Sequence, residues 1–253
     1  MRTGIALGAG VLFLALALAI GAPATLADAR LNSLSGGRLR LVDARGTLWN
    51  GSGALWLPPG FATARIDWHI DAWPLLWGEL HGSFSGESAA EPRGSFALGS
   101  GGFALRDVVL ALPADVLLRA VAEPLAAGGG TIGLRIDALT WRGNAVDGRV
   151  AVRWDSASLP GPKPEARLML GDVRLDAIGQ GSALGGTLAN AGGDVDISGS
   201  ARLSADGARV EMLIRPRAGI DAQRSRAIAD ALAMLAQPDG AGGYRIVWSA
   251  PLR

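Results

Sequence analysis

Acidic and imidazole side chains alternate along one short stretch of the chain. Asp67, His69 and Asp71 occupy every second position of ARIDWHID, and His81 is the second of the two histidines. Because successive side chains of a strand point to opposite faces, the three residues share one face. One interpretation is a metal site, since imidazole and carboxylate ligands on adjacent strands can converge on a metal ion. The other, which we favour, is the solvent-facing side of a half-buried strand whose dry side carries Trp68.

Other motifs that carry catalysis or phosphate binding are absent from the sequence. With no cysteine and no serine in a Gly-x-Ser-x-Gly elbow, the chain lacks thiolate metal ligands and an α/β-hydrolase nucleophile. Gly179-Gln180-Gly181 is glycine-rich but lies among predicted strands, whereas a phosphate-binding loop opens a helix. Asp194 and Asp196 alternate as residues on a solvated strand face do. We therefore predict no catalytic, cofactor-binding or metal-binding residues, and a protein that is not an enzyme.

Composition indicates a β-rich protein of an oxidising compartment. Glycine accounts for 37 of 253 residues, well above the average of about 7%, and glycine is best tolerated at turns, bulges and close strand contacts. The absence of cysteine fits a bacterial periplasm. A net charge of +1 gives no reason to expect nucleic-acid binding. We predict a mainly β fold, antiparallel, and either sandwich-like or an elongated curved sheet.

Short alternating runs recur at the spacing that is typical of all-β folds. Asp206-Gly207 separates two such runs and predicts a hairpin. The predicted strands are Arg38–Asp43, Thr47–Leu57, Ala64–Asp71, Glu79–Ser85, Gly94–Leu98, Phe103–Leu112, Thr131–Trp141, Gly148–Trp154, Glu165–Asp176, Gly185–Leu188, Asp194–Ser204, Ala208–Arg215 and Tyr244–Ser249.

Two segments break the strand pattern and predict short amphipathic helices. PADVLLRAVAEPLA places apolar residues on one stripe, with Pro113 in its first turn. DAQRSRAIADALAMLAQ has Asp221 as its predicted N-cap and an apolar face formed by Ile228, Leu232 and Leu235. LTWRGNAVDGRVAVRW, beginning at Leu139, faintly resembles GTLWNGSGALWL, beginning at Gly46. A body of two β halves, about 38–125 and 130–253, each followed by a helix, is one interpretation.

The first 27 residues form the longest apolar run of the chain, with no charged side chain between Arg2 and Asp28. About 20 apolar residues suffice for a helix to cross a bilayer. We predict an uncleaved transmembrane anchor over 1–27, a juxtamembrane linker and first strand over 28–45, and a periplasmic β-rich domain over 46–253. A cleaved signal peptide is the alternative. The predicted lipid-facing anchor residues are Ile5, Leu7, Val11, Leu12, Phe13, Leu14, Leu16, Leu18 and Ile20.

The eight tryptophans are the residues that most clearly indicate either a core or a contact surface. Trp68, Trp141 and Trp154 are expected to fill the core, because a tryptophan supplies a large apolar area. For Trp73 and Trp77, which flank Pro74, two interpretations remain open: core packing, or a surface for a partner strand or a lipid chain. Open sheet edges also invite a partner to add a strand.

Two stretches carry a resemblance to a known family. GTLWNGSGALWLP, beginning at Gly46, and ARIDWHIDAWPLLWGELHG, beginning at Ala64, resemble protein N of the bacterial type II secretion system. Pro74 and the small pair Gly53-Ala54 are displaced from the family pattern. The residues that we assign to the family motif or to partner contact are Gly46, Thr47, Leu48, Trp49, Gly51, Trp56, Trp68, Trp73, Trp77 and Gly78; Leu75, Leu76 and Leu80 also fit the pattern.

The resemblance implies a single-pass protein of the inner membrane, with a cytoplasmic N-terminus and a periplasmic body. Such a protein is an accessory part of the machine that exports folded proteins across the outer membrane. Its implied partners are other secretion components, namely the inner-membrane platform or the secretin. No cofactor and no catalytic residue follow from the resemblance.

Two other functions remain open at this stage. One is a periplasmic lipid-binding or lipid-transfer protein, similar in plan to the AsmA-like group, which requires inward-facing aliphatic residues along every strand. The other is an envelope enzyme that acts on glycan. That enzyme would need two carboxylates about 5–9.5 Å apart across a cleft, and the sequence does not identify such a pair.

Overall fold

The computed structural model describes residues 22–37, 39–57, 60–87, 92–121, 128–160, 167–233 and 236–250. The chain divides between Ala97 and Leu98 into an N-terminal unit and a C-terminal unit. Most strands that follow one another along the chain are antiparallel neighbours within each unit. The described strands of each unit therefore form an antiparallel meander.

The N-terminal unit begins with a helix and continues as strands joined by short turns. Strands β1 to β4 pair in sequence order, and the boundary between the units falls within β5. A 3₁₀ helix connects β3 to β4. The bounds are α1 Thr25–Leu34, β1 Arg40–Gly46, β2 Asn50–Leu57, β3 Phe61–Asp71, the 3₁₀ helix Trp73–Trp77, β4 Leu80–Gly86 and β5 Arg93–Gly99.

The C-terminal unit contains longer strands and two helices. Strands β6 to β12 pair in sequence order; β14 pairs with β12, and β13 pairs with β14. The bounds are β6 Gly102–Pro113, α2 Ala114–Val121, β7 Gly129–Arg142, β8 Ala145–Leu159, β9 Leu168–Gln180, β10 Ala183–Ala191, β11 Val195–Ser204, β12 Gly207–Pro216, α3 Ala222–Ala233, β13 Gln237–Pro238 and β14 Tyr244–Ala250.

The core of the C-terminal unit lies where α3 packs against the sheet. Asp221 caps the helix, because the Arg224 N–H donates to its carboxylate at 2.8 Å. Ile228 and Leu232 are buried there, as the sequence predicts, whereas Leu235 lies outside the described residues. Their buried sheet partners are Ala157, Leu168, Leu170, Val195, Ile197 and Ile214.

The prediction of a mainly β, antiparallel fold is confirmed, and each predicted strand is present. The prediction of only two helices is wrong, since the described residues hold α1 and a 3₁₀ helix as well. Within the segment 28–45, predicted as a juxtamembrane linker and first strand, α1 continues to Leu34 and β1 begins at Arg40. Pro113, predicted in the first turn of α2, instead ends β6, and the two-residue β13 has no counterpart among the predicted strands.

The predicted anchor residues, Ile5 to Ile20, lie outside the described residues; of the predicted anchor 1–27, the structure describes 22–27. Within the described ranges, no helix combines the length and the apolar character needed to cross a membrane. Where the described chain begins, Pro23 forms an isolated antiparallel bridge with Thr47, and α1 starts two residues later.

Candidate interaction surfaces

The alternation that suggested a metal site is a solvent-facing strand surface. Asp67, His69 and Asp71 are all exposed on β3. Nε2 of His69 lies 2.9 Å from the Asp71 carboxylate, and Nδ1 contacts the Asn50 side chain. His81 of β4 is opposite Asp71, yet its Nε2 contacts a different carboxylate. Within the described residues, no three His, Asp or Glu side chains are placed to hold a metal ion.

The first motif, Gly46 to Gly51, builds the turn between β1 and β2. The Thr47 N–H donates to the Asn50 carbonyl at 2.8 Å, and the Thr47 hydroxyl accepts from the Asn50 N–H at 3.0 Å. Gly46 has a φ of 85°, a left-handed conformation that favours glycine. Short polar side chains commonly close turns by hydrogen bonding to nearby backbone in this way.

Trp68 of β3 packs directly on this turn. Its indole N–H donates to the Leu48 carbonyl at 3.1 Å. A Cβ atom at Gly51 would lie 2.4 Å from Cζ2 of Trp68 and 2.7 Å from the Arg45 carbonyl oxygen. Glycine is therefore the residue that lets the indole ring approach the turn, and the motif encodes a rigid local structure.

The same turn holds the start of the described chain. The Leu48 N–H donates to the Ala22 carbonyl at 2.8 Å, and the Ala24 N–H donates to the Gly46 carbonyl at 3.2 Å. Helix α1 is held in addition by Asp28, whose carboxylate accepts from the Leu41 N–H at 2.7 Å. That backbone hydrogen bond, opposed by partial burial and helped by the Arg40 guanidinium, lowers the pKa of Asp28.

The second motif forms an exposed apolar turn, Trp73–Trp77, which we call the tryptophan turn. Trp73 is 71% exposed, Trp77 is 67% exposed and Leu76 is 69% exposed. The two indole rings meet edge to face with centroids 5.7 Å apart. Gly78 ends the helix in a left-handed conformation, with a φ of 75°.

The remaining motif tryptophans have mixed environments. Trp49 and Trp56 are half-buried, Trp49 in the first turn and Trp56 on β2 opposite Arg40. Trp154 packs against the core around α3, as predicted, and its indole N–H donates to the Gly129 carbonyl at 2.8 Å. Trp68 and Trp141 are half-buried rather than enclosed. All three tryptophans predicted to fill the core are thus half-buried.

A family model for protein N of the type II secretion system matches residues 37–247. The chain belongs to this protein N family. The matched range includes both motif turns and most of the C-terminal unit. No curated protein and no solved structure matches the chain.

This protein N family member also has an open strand edge, on β14. The outer side of β14 is paired only by β13, at Tyr244 and Arg245. Beyond Arg245, no described strand pairs with that edge. Val247 and Trp248 are exposed there. Natural proteins protect such edges with charges, proline or bulges, and the proline in β13 covers only the first part.

A row of aliphatic side chains crosses the C-terminal unit of the family member on the face that α3 covers in part. Neighbouring members of the row are directly opposite one another on adjacent strands. All are half-buried. At a strand spacing of about 4.8 Å, the row is about 34 Å long. Its members are Leu110, Leu134, Val152, Leu175, Leu188, Met212 and Ile246, and Gly199 interrupts it between Leu188 and Met212. We call it the aliphatic row.

Asp194 and Asp196, which the sequence assigned to a solvated face, stabilise the edge of the core of this family member. Asp194 forms an ion pair with Arg224 of α3 and accepts from the Met169 N–H at 3.0 Å. Asp196 pairs with Arg217 at 2.7 Å. Asp194 lies in the turn before β11 and is half-buried, so the predicted solvated face is wrong for Asp194, whereas Asp196 is exposed on β11 as predicted.

Proposed function

We propose that this chain is an inner-membrane-anchored, periplasmic accessory component of the type II secretion system. It acts by protein–protein contacts in the export of folded proteins across the outer membrane, not as an enzyme. The observation that carries the proposal is the family match over residues 37–247. The apolar run before Asp28 supports the anchor, and the first turn binds the backbone of Ala22, near the end of that run.

The open edge of β14 is the proposed contact for another secretion component. An extended segment that adds to an open edge gains backbone hydrogen bonds along its length. Val247 and Trp248 supply apolar area beside that edge, and Trp is enriched where proteins meet. The expected partner surface is therefore a strand of the inner-membrane platform or of the secretin.

A photo-crosslinking residue at position 247 of the full chain is expected to crosslink to a secretion component in cells. Ile178 is the matched control, because it is 47% exposed against 52% for Val247 and faces the same side of the same sheet. It lies on β9, whose two edges are both paired. The crosslinked product, identified by mass spectrometry, is expected at position 247 and not at 178.

Two results would contradict this contact. Equal crosslinking at positions 247 and 178 would show that exposure, not the open edge, governs the reaction. Crosslinked products at position 247 that contain no secretion component would show that the open edge of β14 does not contact the secretion system. If export of every type II substrate stays normal after the protein is deleted, the protein has no essential role in export. That result is still compatible with a dispensable role.

A second function is favoured by the aliphatic row. The AsmA-like plan requires inward-facing aliphatic residues on every strand, and the row provides one on seven of its eight strands, interrupted only by Gly199. Its members are half-buried, so the row is in part open to solvent. The proposed ligand under this alternative is the acyl chain of a phospholipid, because burial of each methylene group contributes about 0.8 kcal/mol.

Val152→Asp in the full chain is expected to abolish phospholipid co-purification under this alternative. Val152 faces Leu134 and Leu175 in the row, so a carboxylate there would place a charge against the acyl chain. Ala151→Asp is the matched control, because the neighbouring residue of β8 points to the opposite face. Extracted lipid is quantified by mass spectrometry after a circular-dichroism check of folding.

The two functions predict different contents of one purification. Secretion components without enriched lipid would support the secretion contact alone. Stoichiometric phospholipid that Val152→Asp removes and Ala151→Asp retains would support the lipid function. Equal lipid in both variants would contradict binding in the aliphatic row.

A further inference from the structure

The tryptophan turn is the most exposed apolar feature of the N-terminal unit. Trp73, Leu76 and Trp77 are each exposed by two thirds or more. A contiguous apolar patch of this kind is unfavourable in water and marks a surface that meets an apolar partner. The 3₁₀ helix has no buried residue, so the two indole rings are not held there by core packing.

The turn lies at the end of the sheet where the described chain begins. The Leu48 N–H donates to the Ala22 carbonyl, and the Ile70 N–H donates to the carbonyl of the next residue, Trp49, at 2.6 Å. With paired backbones about 4.8 Å apart, Ala22 and Ile70 are about 10 Å from each other. The tryptophan turn starts three residues after Ile70. It therefore lies beside the point where the apolar N-terminal run leads into the folded unit.

The chain before Ala22 indicates what covers this surface. It comprises residues 1–21, which carry no charged side chain after Arg2 and are long enough to span a bilayer. Trp is enriched at the interface between lipid and water, where its ring is apolar and its N–H remains hydrated. Asp71 and Glu79 flank the turn and are exposed. Because charged groups stay in water, they limit insertion to the level of the headgroups.

We propose that the tryptophan turn inserts into the periplasmic headgroup region of the bilayer that the N-terminal segment spans. The N-terminal unit then has two membrane contacts, the anchor and the turn, which fix its orientation on the membrane. This inference rests on the anchor in the proposed function. It adds to that anchor a second lipid-binding surface, which reaches the level of the headgroups.

The test uses a single cysteine in the full chain, which has none of its own. Leu76→Cys carries the environment-sensitive dye NBD, and the protein is reconstituted into vesicles of phosphatidylethanolamine and phosphatidylglycerol. The expected result is a blue-shifted NBD emission, loss of quenching by aqueous iodide, and quenching by lipids with nitroxide-labelled acyl chains near the headgroup.

Ala62→Cys is the matched control on β3, the strand that leads into the turn. Ala62 is exposed near the start of β3, about 30 Å along the strand from Asp71, where the strand ends. Its NBD label is expected to remain open to iodide and unaffected by the lipid quencher. A second variant, Trp73→Ala with Trp77→Ala, is expected to reduce quenching of the intrinsic tryptophan fluorescence by brominated lipids.

The outcomes separate the turn from the anchor. A chain that floats with vesicles but leaves the Leu76 label as open to iodide as the Ala62 label would overturn this inference and retain the anchor. A Leu76 label shielded from iodide and also from the lipid quencher would assign the turn to a protein contact, and overturn lipid insertion. A chain that does not float would overturn the anchor, and this inference with it.

Discussion

Gly51→Ala is expected to destabilise the N-terminal unit by about 3 kcal/mol or more, because the added methyl group has no space. Its Cβ atom would lie 2.4 Å from Cζ2 of Trp68, 2.7 Å from the Arg45 carbonyl oxygen and 2.8 Å from the Thr47 carbonyl oxygen. Two of these neighbours are backbone atoms, which cannot rotate away as a side chain can. Since whole domains are stable by only about 5–15 kcal/mol, the loss is a large fraction of the total.

The measurement is urea unfolding of the full chain in mild detergent, followed by tryptophan fluorescence. Gly185→Ala is the control, because no atom lies within 4 Å of its added Cβ and its backbone is not left-handed. Alanine there is expected to leave the midpoint unchanged or to raise it slightly, since glycine loses more entropy on folding.

The first turn connects this loss of stability to the membrane-proximal part of the fold. Displacement of Trp68 removes its hydrogen bond to the Leu48 carbonyl, and the N–H of the same residue holds Ala22. Limited proteolysis of Gly51→Ala is therefore expected to cut faster within α1 than it does in the unmodified chain. Unchanged unfolding and unchanged cleavage would show that the turn tolerates a side chain, and that the motif glycine has another role.

The strands could be predicted from the sequence because alternation of apolar and polar residues reports directly which face of a strand is buried. On β3, Ile66 is buried while Asp67 beside it is exposed, as the period of two requires. The Asp206-Gly207 hairpin was also predictable, since Gly207 starts β12 opposite Ser204 of β11. In each case, the information lies within a few consecutive residues.

Helix α1 was not predicted from the sequence because it adjoins the long apolar run. Thr25 to Ala27 extend that run, so a membrane anchor explains them equally well. What holds α1 is the contact between Asp28 and the Leu41 N–H, which depends on tertiary structure. The 3₁₀ helix did leave a local signal, because Pro74 at its second position and Gly78 just after its end are typical helix boundaries.

The candidate surfaces differ in how much of them the sequence reveals. The sequence could not show whether Trp73 and Trp77 are exposed or buried, since a tryptophan suits both environments. The aliphatic row requires the register of eight strands, and a shift of one residue in any strand would turn its side chain to the other face. The bulge at Ile136/Ala138 shifts the register of β7, one of these strands, and no sequence pattern predicted it.

Leu232→Ala is expected to cost about 2–5 kcal/mol, since it leaves a cavity in a closed core. Leu232 is among the most completely buried large side chains of the described residues, and it packs in the cluster of α3 with Val195, Ile197 and Ile214. A helix of this length is marginal alone in water. The apolar contact with the sheet, together with the Arg224–Asp194 ion pair, therefore keeps α3 in place.

Arg226→Ala is the control on the same helix, because Arg226 is exposed and surface substitutions usually change stability by less than about 0.5 kcal/mol. Urea unfolding compares the two variants, and Trp154, which packs against the same cluster, reports the local change. If α3 also closes one end of the aliphatic row, Leu232→Ala is expected to increase binding of a hydrophobic dye below the unfolding transition. Equal midpoints for the two variants would contradict a core centred on α3, because the sheet face would then be stable without its helix.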